Sequence, residues 1–262
     1  MSRMLKKRAI KYPRYVTSKI GKTKAVEAIA TLKQYVPTTK WMTAESLKQM
    51  LVQHKMVYIK PNVGMFGNGV IRVEYAEGSG ALLPYSYQLG VHLKRFKTFE
   101  DMYASIIKKT GKERYLVQKG IHLLKYKGNR FDLRIMVQQT PERKWETTGV
   151  IGRVAHPTKI VTNFHNGGTL KPVDTLLEGY LKESEKEQFL KKLHVLGTGV
   201  ARAIHTKYNG VKEIGVDVAL DSELHPWILE VNTSPDPFIF RRLRDKRIFA
   251  KIRRYARAYG RL

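Results

Sequence analysis

Two short runs near the C-terminal end set apolar positions between polar ones: Gly215-Val-Asp217-Val-Ala-Leu220 and Trp227-Ile-Leu-Glu230-Val-Asn232. The break between them, Asp221-Ser-Glu-Leu-His-Pro226, reads as a hairpin connection. Side chains two apart on a strand share a face, so Glu230 and Asn232 project together. An antiparallel partner brings Asp217 beside them. Two carboxylates and an amide oxygen, with no Cys or His among them, suit Mg²⁺ better than zinc.

The same pattern predicts the rest of the chain. A weak helical stretch covers residues 24–35 and ends at Val36-Pro37, because proline disfavours helix in the residue before it. Thr43 caps a helix through residues 46–54. Residues 57–60 form a strand that stops at Pro61. A turn, Asn62-Val-Gly64-Met-Phe-Gly67-Asn-Gly69, follows, and a strand resumes over 70–75. Residues 85–96 read as further strand. Residues 98–109 form a helix with Phe99, Met102, Tyr103, Ile106 and Ile107 on one face. Residues 115–120 are a short strand, and 131–139 and 146–155 are long ones. Residues 163–168 are a polar, glycine-containing loop. Ser184-Glu-Lys-Glu187 matches a capping box opening a long helix towards Tyr208. Strands outnumber helices and do not alternate with them regularly, which predicts an α+β fold.

Composition narrows the chemistry. The chain has 262 residues and no cysteine, so disulfides, Cys-ligated metals and thiol catalysis are excluded. No stretch reaches the roughly 20 apolar residues of a membrane helix. The basic N-terminus lacks an apolar run behind it, which argues against a secretory signal and for a cytoplasmic protein. Lys and Arg number 49 against 22 Asp and Glu, a net charge of +27 that attracts polyanions. Residues 241–262 hold ten Lys and Arg and a single acid, Asp245, with Ile248, Ile252, Tyr255 and Tyr259 at helical spacing. That is an amphipathic basic helix. One reading is a docked helix with a solvated face. The other is contact with nucleic acid, an anionic membrane surface or an acidic partner.

Further motifs join the metal strands. Lys60 ends a strand before a loop with Gly64, Gly67 and Gly69, where glycine lets backbone N–H groups approach a phosphate. No Gly-Lys-Ser/Thr follows, so this is not a P-loop. Arg134 in Phe131-Asp-Leu-Arg-Ile-Met-Val and Arg153 in Gly152-Arg-Val interrupt apolar strands, so each needs an acidic partner, for Arg134 Asp132 or another acid, or a cleft. Asn163-Phe-His-Asn-Gly167-Gly168 is a loop able to approach a ligand through its backbone.

Taken in order, strand-Lys-Pro with a glycine loop, Asp-x-Arg, a strand Arg, Asn-x-x-x-Gly-Gly, Gly-Val-Asp and Glu-Val-Asn-x-Ser-Pro resemble the ATP-grasp superfamily. The run Glu230-Val-Asn-Thr-Ser-Pro235 is similar to carboxylate–amine ligases such as D-alanine–D-alanine ligase and the ribosomal-protein glutamate ligases. Tyr35-Val-Pro-Thr-Thr39, Val57-Tyr-Ile-Lys-Pro61 and the Gly64–Gly69 loop resemble most the endospore coat-associated YheC/YheD group. The resemblance spans roughly residues 18–240 and implies two α+β lobes enclosing ATP. It divides the chain into a basic N-terminal segment (1–40), an N-lobe with the phosphate hairpin (41–117), a C-lobe with the metal site (118–240) and the basic C-terminal helix (241–262).

The resemblance also implies roles. Lys60 contacts ATP phosphates and the hairpin of Gly64, Gly67 and Gly69 closes over them. The backbone of Gln118, Lys119, Gly120 and Ile121 holds adenine. Arg134 and Arg153 face the phosphate or an acyl phosphate, Asn163, Gly167 and Gly168 lie near the transferred group, and Asp217, Glu230 and Asn232 hold Mg²⁺. Lys19 is the candidate for a second nucleotide lysine, with Lys22 and Lys24 as competitors. Only about 40 residues precede the first ATP-lobe helix, which predicts that the family's N-terminal domain is shortened or missing. The implied activity is an ATP- and Mg²⁺-dependent ligase activating a carboxylate for attack by an amine, linked to the spore coat or cell envelope. Its partners are a carboxylate substrate and an amine acceptor, with a polyanionic polymer or acidic peptide among the candidates. The alternative is an ATP-binding but non-catalytic structural or nucleic-acid-binding protein of the spore.

Overall fold

The computed structural model describes residues 14–65, 67–76, 82–157, 160, 162 and 167–262. Two antiparallel sheets organise it. The first takes its strands in the order β1 (Thr39–Trp41), β6 (Tyr115–Lys119), β2 (Met56–Pro61), β3 (Ile71–Tyr75), β4 (Tyr85–Leu89) and β5 (His92–Phe96). The stretch expected as one strand over 85–96 is therefore two. Gly90 takes φ +62° between them, a backbone that glycine adopts without steric cost. Helices α3 (Ala44–His54) and α4 (Phe99–Thr110) cover this sheet with Leu47, Met50, Leu51, Met102 and Ile106. The Thr43 cap is present: its hydroxyl accepts from Ser46 N at 3.0 Å, and Ser46 Oγ accepts from Thr43 N at 2.9 Å.

The second sheet runs β10 (Thr169–Lys171), β9 (Trp145–Val154), β8 (Asn129–Gln139), β11 (Glu213–Leu220) and β12 (Pro226–Asn232), with β7 (Lys125–Tyr126) beside β8. The short α5 (Val173–Leu177) and the long α6 (Glu183–Lys207) pack on one face, α6 over Phe131, Leu133, Ile135 and Val137 of β8. A 3-10 turn (Phe238–Arg242) and α7 (Lys246–Ala258) cover Met136 and Ile151 on the other. Covered on both faces, β8 is buried from Phe131 to Gln139. Strand alternation puts Asp132 and Arg134 on the face of Met136. Among the described residues no helix is long and apolar enough to cross a membrane.

Three elements differ from expectation. Helix α1 runs Lys19–Glu27 and α2 Ala30–Lys33 in place of one stretch over 24–35. The hydroxyl of Ser18 caps α1 by accepting from Gly21 N at 3.1 Å, which starts the helix earlier than the apolar pattern does. Ala25, Val26 and Leu32 join the core of the second sheet beside α6. Ser184 is not a cap but lies in the first turn of α6. The Glu185 carboxylate accepts from Lys182 N at 2.7 Å, two residues ahead of the expected box. The C-terminal helix is docked, in line with the first of its two readings, burying Ile252, Tyr255 and Ala256; what differs is its start, since α7 begins at Lys246 after the 3-10 turn.

Candidate functional site

A cavity of about 570 Å³ opens between the two sheets. On the second sheet it is walled by Asp132, Arg134, Arg153, Asp217, Glu230 and Asn232. Pairing of β11 with β12 sets Asp217 opposite Glu230 and Gly215 opposite Asn232. The register shifts just after Asp217, so that Val218 pairs with Ile228 and Leu229 is an extra residue. This bulge lets Ile228 stay in the core while Glu230 and Asn232 face the cavity.

Pairing with neighbouring strands then builds a buried charge lattice. Asp132 lies opposite Arg153 and Asp217 opposite Arg134. Arg153 donates to Asp132 through Nε at 2.8 Å and a terminal nitrogen at 2.5 Å, and reaches Asp217 at 3.0 Å. Arg134 Nε donates to Asp217 Oδ1 in a short bond. Thr162 donates to Asp132 at 2.5 Å. Burial alone would raise the Asp217 carboxyl, but Arg134 and Arg153 outweigh it and hold it below the usual range. Burial likewise works against the Arg153 guanidinium, and Asp132 and Asp217 reverse this and raise it.

The first sheet and α1 supply lysines. Lys60 donates to Gln118 Oε1 at 2.6 Å, and its ammonium lies 5.8 Å from the Tyr58 ring centroid. Burial pushes Lys60 down to about 8, against the pull of Glu230 and helped by Lys19. Asn62 ties α1 to the hairpin: its carbonyl accepts from Lys19 N at 2.9 Å and its side chain from Ile20 N at 3.0 Å. Lys19 Nζ then donates to Gly64 O at 2.9 Å and stands 3.8 Å from Glu230. Of the three competing lysines, Lys19 lines the main cavity. Lys22 is buried in a side recess and its ammonium is destabilised, chiefly by that burial. Lys24 is exposed.

Gly64 and Gly67 line the cavity and Gly69 does not. Gly69 has φ +71°, and a Cβ there would come within 2.9 Å of the Tyr115 hydroxyl, so it shapes the turn. Gln118, Lys119 and Ile121 line the cavity. The amides of Lys119 and Gly120 already donate to Thr38 O and Met56 O, at 2.8 and 2.9 Å. Gly120 faces Met56, whose Cε would lie 2.5 Å from an added Cβ; its glycine serves packing. Gly167 and Gly168 lead into β10 and do not line the cavity. Asn163 lies outside the described residues.

Sequence reasoning missed several lining residues, Tyr58, Asn68, Asp236, Phe238 and Arg261, and read Asp132 as a partner for an arginine without placing it on the cavity wall. Two carried a readable signal, since Tyr58 and Asp132 stand two positions from Lys60 and Arg134 and share their faces. Arg261 carried none. It reaches the cavity because the C-terminal tail folds back and ion-pairs with buried Glu213, while the Tyr259 hydroxyl donates to Glu213 at 2.6 Å.

The donor set suits a nucleotide with a hard cation. Among the described residues no three His, Cys, Asp or Glu side chains cluster to hold a metal on their own. Two carboxylates and an amide fit Mg²⁺, which is held by one or two carboxylates together with substrate phosphates. Six cationic side chains line the cavity against four carboxylates, which favours an anionic occupant.

A family model described as YheC/D like ATP-grasp matches residues 11–262. The chain is 27% identical over 207 residues to the endospore coat-associated protein YheD of Bacillus subtilis (strain 168), covering 76% of this chain and 43% of that protein. It is 23% identical over 209 residues to the endospore coat-associated protein YheC of the same organism, covering 79% and 56%. It thus spans about half the length of the curated relatives it matches. Among solved structures, the D-cycloserine synthetase DcsG superposes with a TM-score of 0.54 at 10% identity, over 90% of this chain and 69% of that one. At that identity the likeness is one of fold.

Proposed function

Because the chain belongs to the YheC/D-like ATP-grasp family, we propose that it is an ATP- and Mg²⁺-dependent ligase of the carboxylate–amine type. One observation carries this reading: Lys19, Lys60, Gly64 and Gly67 of the hairpin, two strand arginines and the Asp217, Glu230 and Asn232 trio all line a single cavity. A substrate carboxylate attacks the γ-phosphorus of ATP, the bond to ADP breaks, and an acyl phosphate forms. An amine then attacks the acyl carbon and loses a proton, and phosphate departs with the former carboxylate oxygen.

The chain's own residues position and neutralise charge. Lys19 and Lys60 bind phosphate oxygens. Arg134 and Arg153 are fixed by Asp217 and Asp132, and a guanidinium with five N–H donors keeps some for the transferred group. Asp217, Glu230 and Asn232 would hold Mg²⁺, which neutralises phosphate charge when bound. Gln118 and Ile121 receive the base, beside the Lys119 side chain that lies 4.6 Å from the Trp227 ring centroid. The names of the relatives support a setting in spore coat or cell-envelope formation.

The test is calorimetry with Mg-ATP, followed by ADP release in the presence of candidate carboxylates and amines. Glu230→Gln should cut ADP release by about a hundredfold or more, the scale of losing one electrostatic contact in a transition state, while circular dichroism stays unchanged. Absence of Mg-ATP binding in the wild-type chain would overturn the reading.

A further inference from the structure

We propose that the exposed arginine face of α7, with the aromatic pair beside it, is a docking track for an acidic peptide, and that the track leads into the open end of the cavity. The track stands on its own surface geometry; only the fate of the peptide's end rests on the ligase reading above.

The track is continuous. Phe238 is 49% exposed and lines the cavity beside Asp236 and Ile239. Its ring centroid lies 5.9 Å from that of Phe249 on α7. The guanidinium carbons of Arg241 and Arg253 stand 6.0 and 5.9 Å from the Phe249 ring centroid. Arg257 follows Arg253 one turn further, and Arg244 precedes the helix; all four arginines are exposed. Arg247 is paired with Asp245 and Lys251 with Glu146, but among the described residues Arg241, Arg244, Arg253 and Arg257 make no ion pair.

Stability does not account for this charge. Helix α7 docks through Ile252, Tyr255 and Ala256; the arginine that packs on them is Arg254, 5.2 Å from the Tyr255 ring centroid, which is not one of the four. Asp245 caps the helix by accepting from Arg247 N at 2.9 Å, but the first turn itself holds Lys246 and Arg247 and no acid, a charge that opposes the helix dipole. Arg253 and Arg257 are like charges four apart, a destabilising spacing. Arg257 in the last turn suits the dipole, but Arg241, Arg244 and Arg253 have no such part in the fold and answer to something outside it.

The chemistry favours carboxylates. Lys246 spends its ammonium on the carbonyls of Arg241 and Leu243, and the track's four cations are arginines, whose planar fork binds carboxylate in a bidentate manner. An acidic peptide presents along its length the same group that the cavity is read to activate at its end. The 13 residues of α7 span roughly 20 Å at helical rise, the length of about six extended residues.

The experiment uses fluorescence anisotropy of labelled hexa-L-glutamate on the full chain, beside di-glutamate, single-stranded RNA and duplex DNA of matched charge. Hexa-glutamate should bind more tightly than di-glutamate, and about tenfold more weakly to an Arg241→Gln, Arg253→Gln, Arg257→Gln triple variant. Binding should also weaken at about 0.5 M salt. The thermal shift given by Mg-ATP should be the same in both proteins, since no substituted residue lines the cavity. Lysine at the three positions should restore only part of the affinity, because it keeps charge but not the fork. Equal binding by wild type and the triple variant, or tighter binding of nucleic acid at matched charge, would overturn the acidic-peptide track. Hexa-glutamate binding through α7 without Mg-ATP binding would leave the track standing and remove the ligase. Mg-ATP binding without hexa-glutamate binding would remove the track alone.

Discussion

The two walls of the cavity handle charge in opposite ways. On the second sheet Asp132, Arg134, Arg153 and Asp217 are 1–8% exposed, and each carboxylate meets a guanidinium. On the first sheet Lys60 has, among the described residues, only the neutral amide of Gln118 in hydrogen-bond contact, and its neighbouring hairpin exposes Val63 and Met65. The buried wall balances its charge internally, because removing ions from water is costly unless they are paired. The open wall leaves Lys60 without a carboxylate in hydrogen-bond contact among the described residues, which on the reading proposed above keeps it for a ligand's charge.

Breaking the buried wall should have the largest effect. Asp132→Ala leaves Arg153 short of its bidentate partner and Thr162 without its acceptor. Removing one member of a buried pair costs about 3–5 kcal/mol, to be read from urea denaturation. A loss below about 1 kcal/mol would erase the contrast between the walls, since that is the range of an exposed pair.

On the open wall the effect is on binding, and pH reads it. Burial lowers Lys60 to about 8, against about 10.4 for an unfolded lysine. Between those values the unfolded chain holds more protons, so Lys60 makes stability rise with pH across that window. Phosphate binding has the opposite sign, because it needs the ammonium. Mg-ATP affinity should fall about tenfold per pH unit above 8, as one-proton linkage requires, when titrated from pH 7 to 10. Lys60→Arg should flatten that profile. A wild-type profile already flat across the range would mean that Lys60 does not meet the phosphates.

Much of this division was legible in the sequence, through strand alternation. It placed Glu230 with Asn232, and it marked Arg134 and Arg153 as arginines in need of partners. What it left open were the long-range terms. Asp132 serves Arg153 rather than its neighbour Arg134, because register sets residues 132 and 153 opposite each other. Register is a property of the paired sheet, not of either strand alone. The bulge at Leu229 is similar: simple alternation would put Ile228 on the face of Glu230, and the extra residue separates them. Gly120 read as a backbone contact for a base, yet its glycine answers to Met56, a neighbour that exists only once β2 and β6 pair. Local rules also slipped by a few residues where two caps compete, as at Lys182 and Ser184. The docking of α7 was the easier inference, because Ile252 and Tyr255 recur at helical spacing and both are buried.

The smallest expected effect tests the open wall in its plainest form. Met65 is 71% exposed yet lines the cavity. Its side chain lies on the hairpin between Gly64 and Gly67, away from either sheet's core. Met65→Ala should therefore change unfolding free energy by no more than about 0.5 kcal/mol, as for a surface substitution. The companion change Met136→Ala, on the buried wall, should cost about 2–5 kcal/mol, because Met136 is fully buried beneath α7. Same residue type and same substitution, so side-chain chemistry cancels and only the wall differs. Denaturation of the two variants side by side measures that difference. A cost above about 1 kcal/mol at Met65 would mean that the hairpin is packed as firmly as the sheet it springs from, and would place order on both walls.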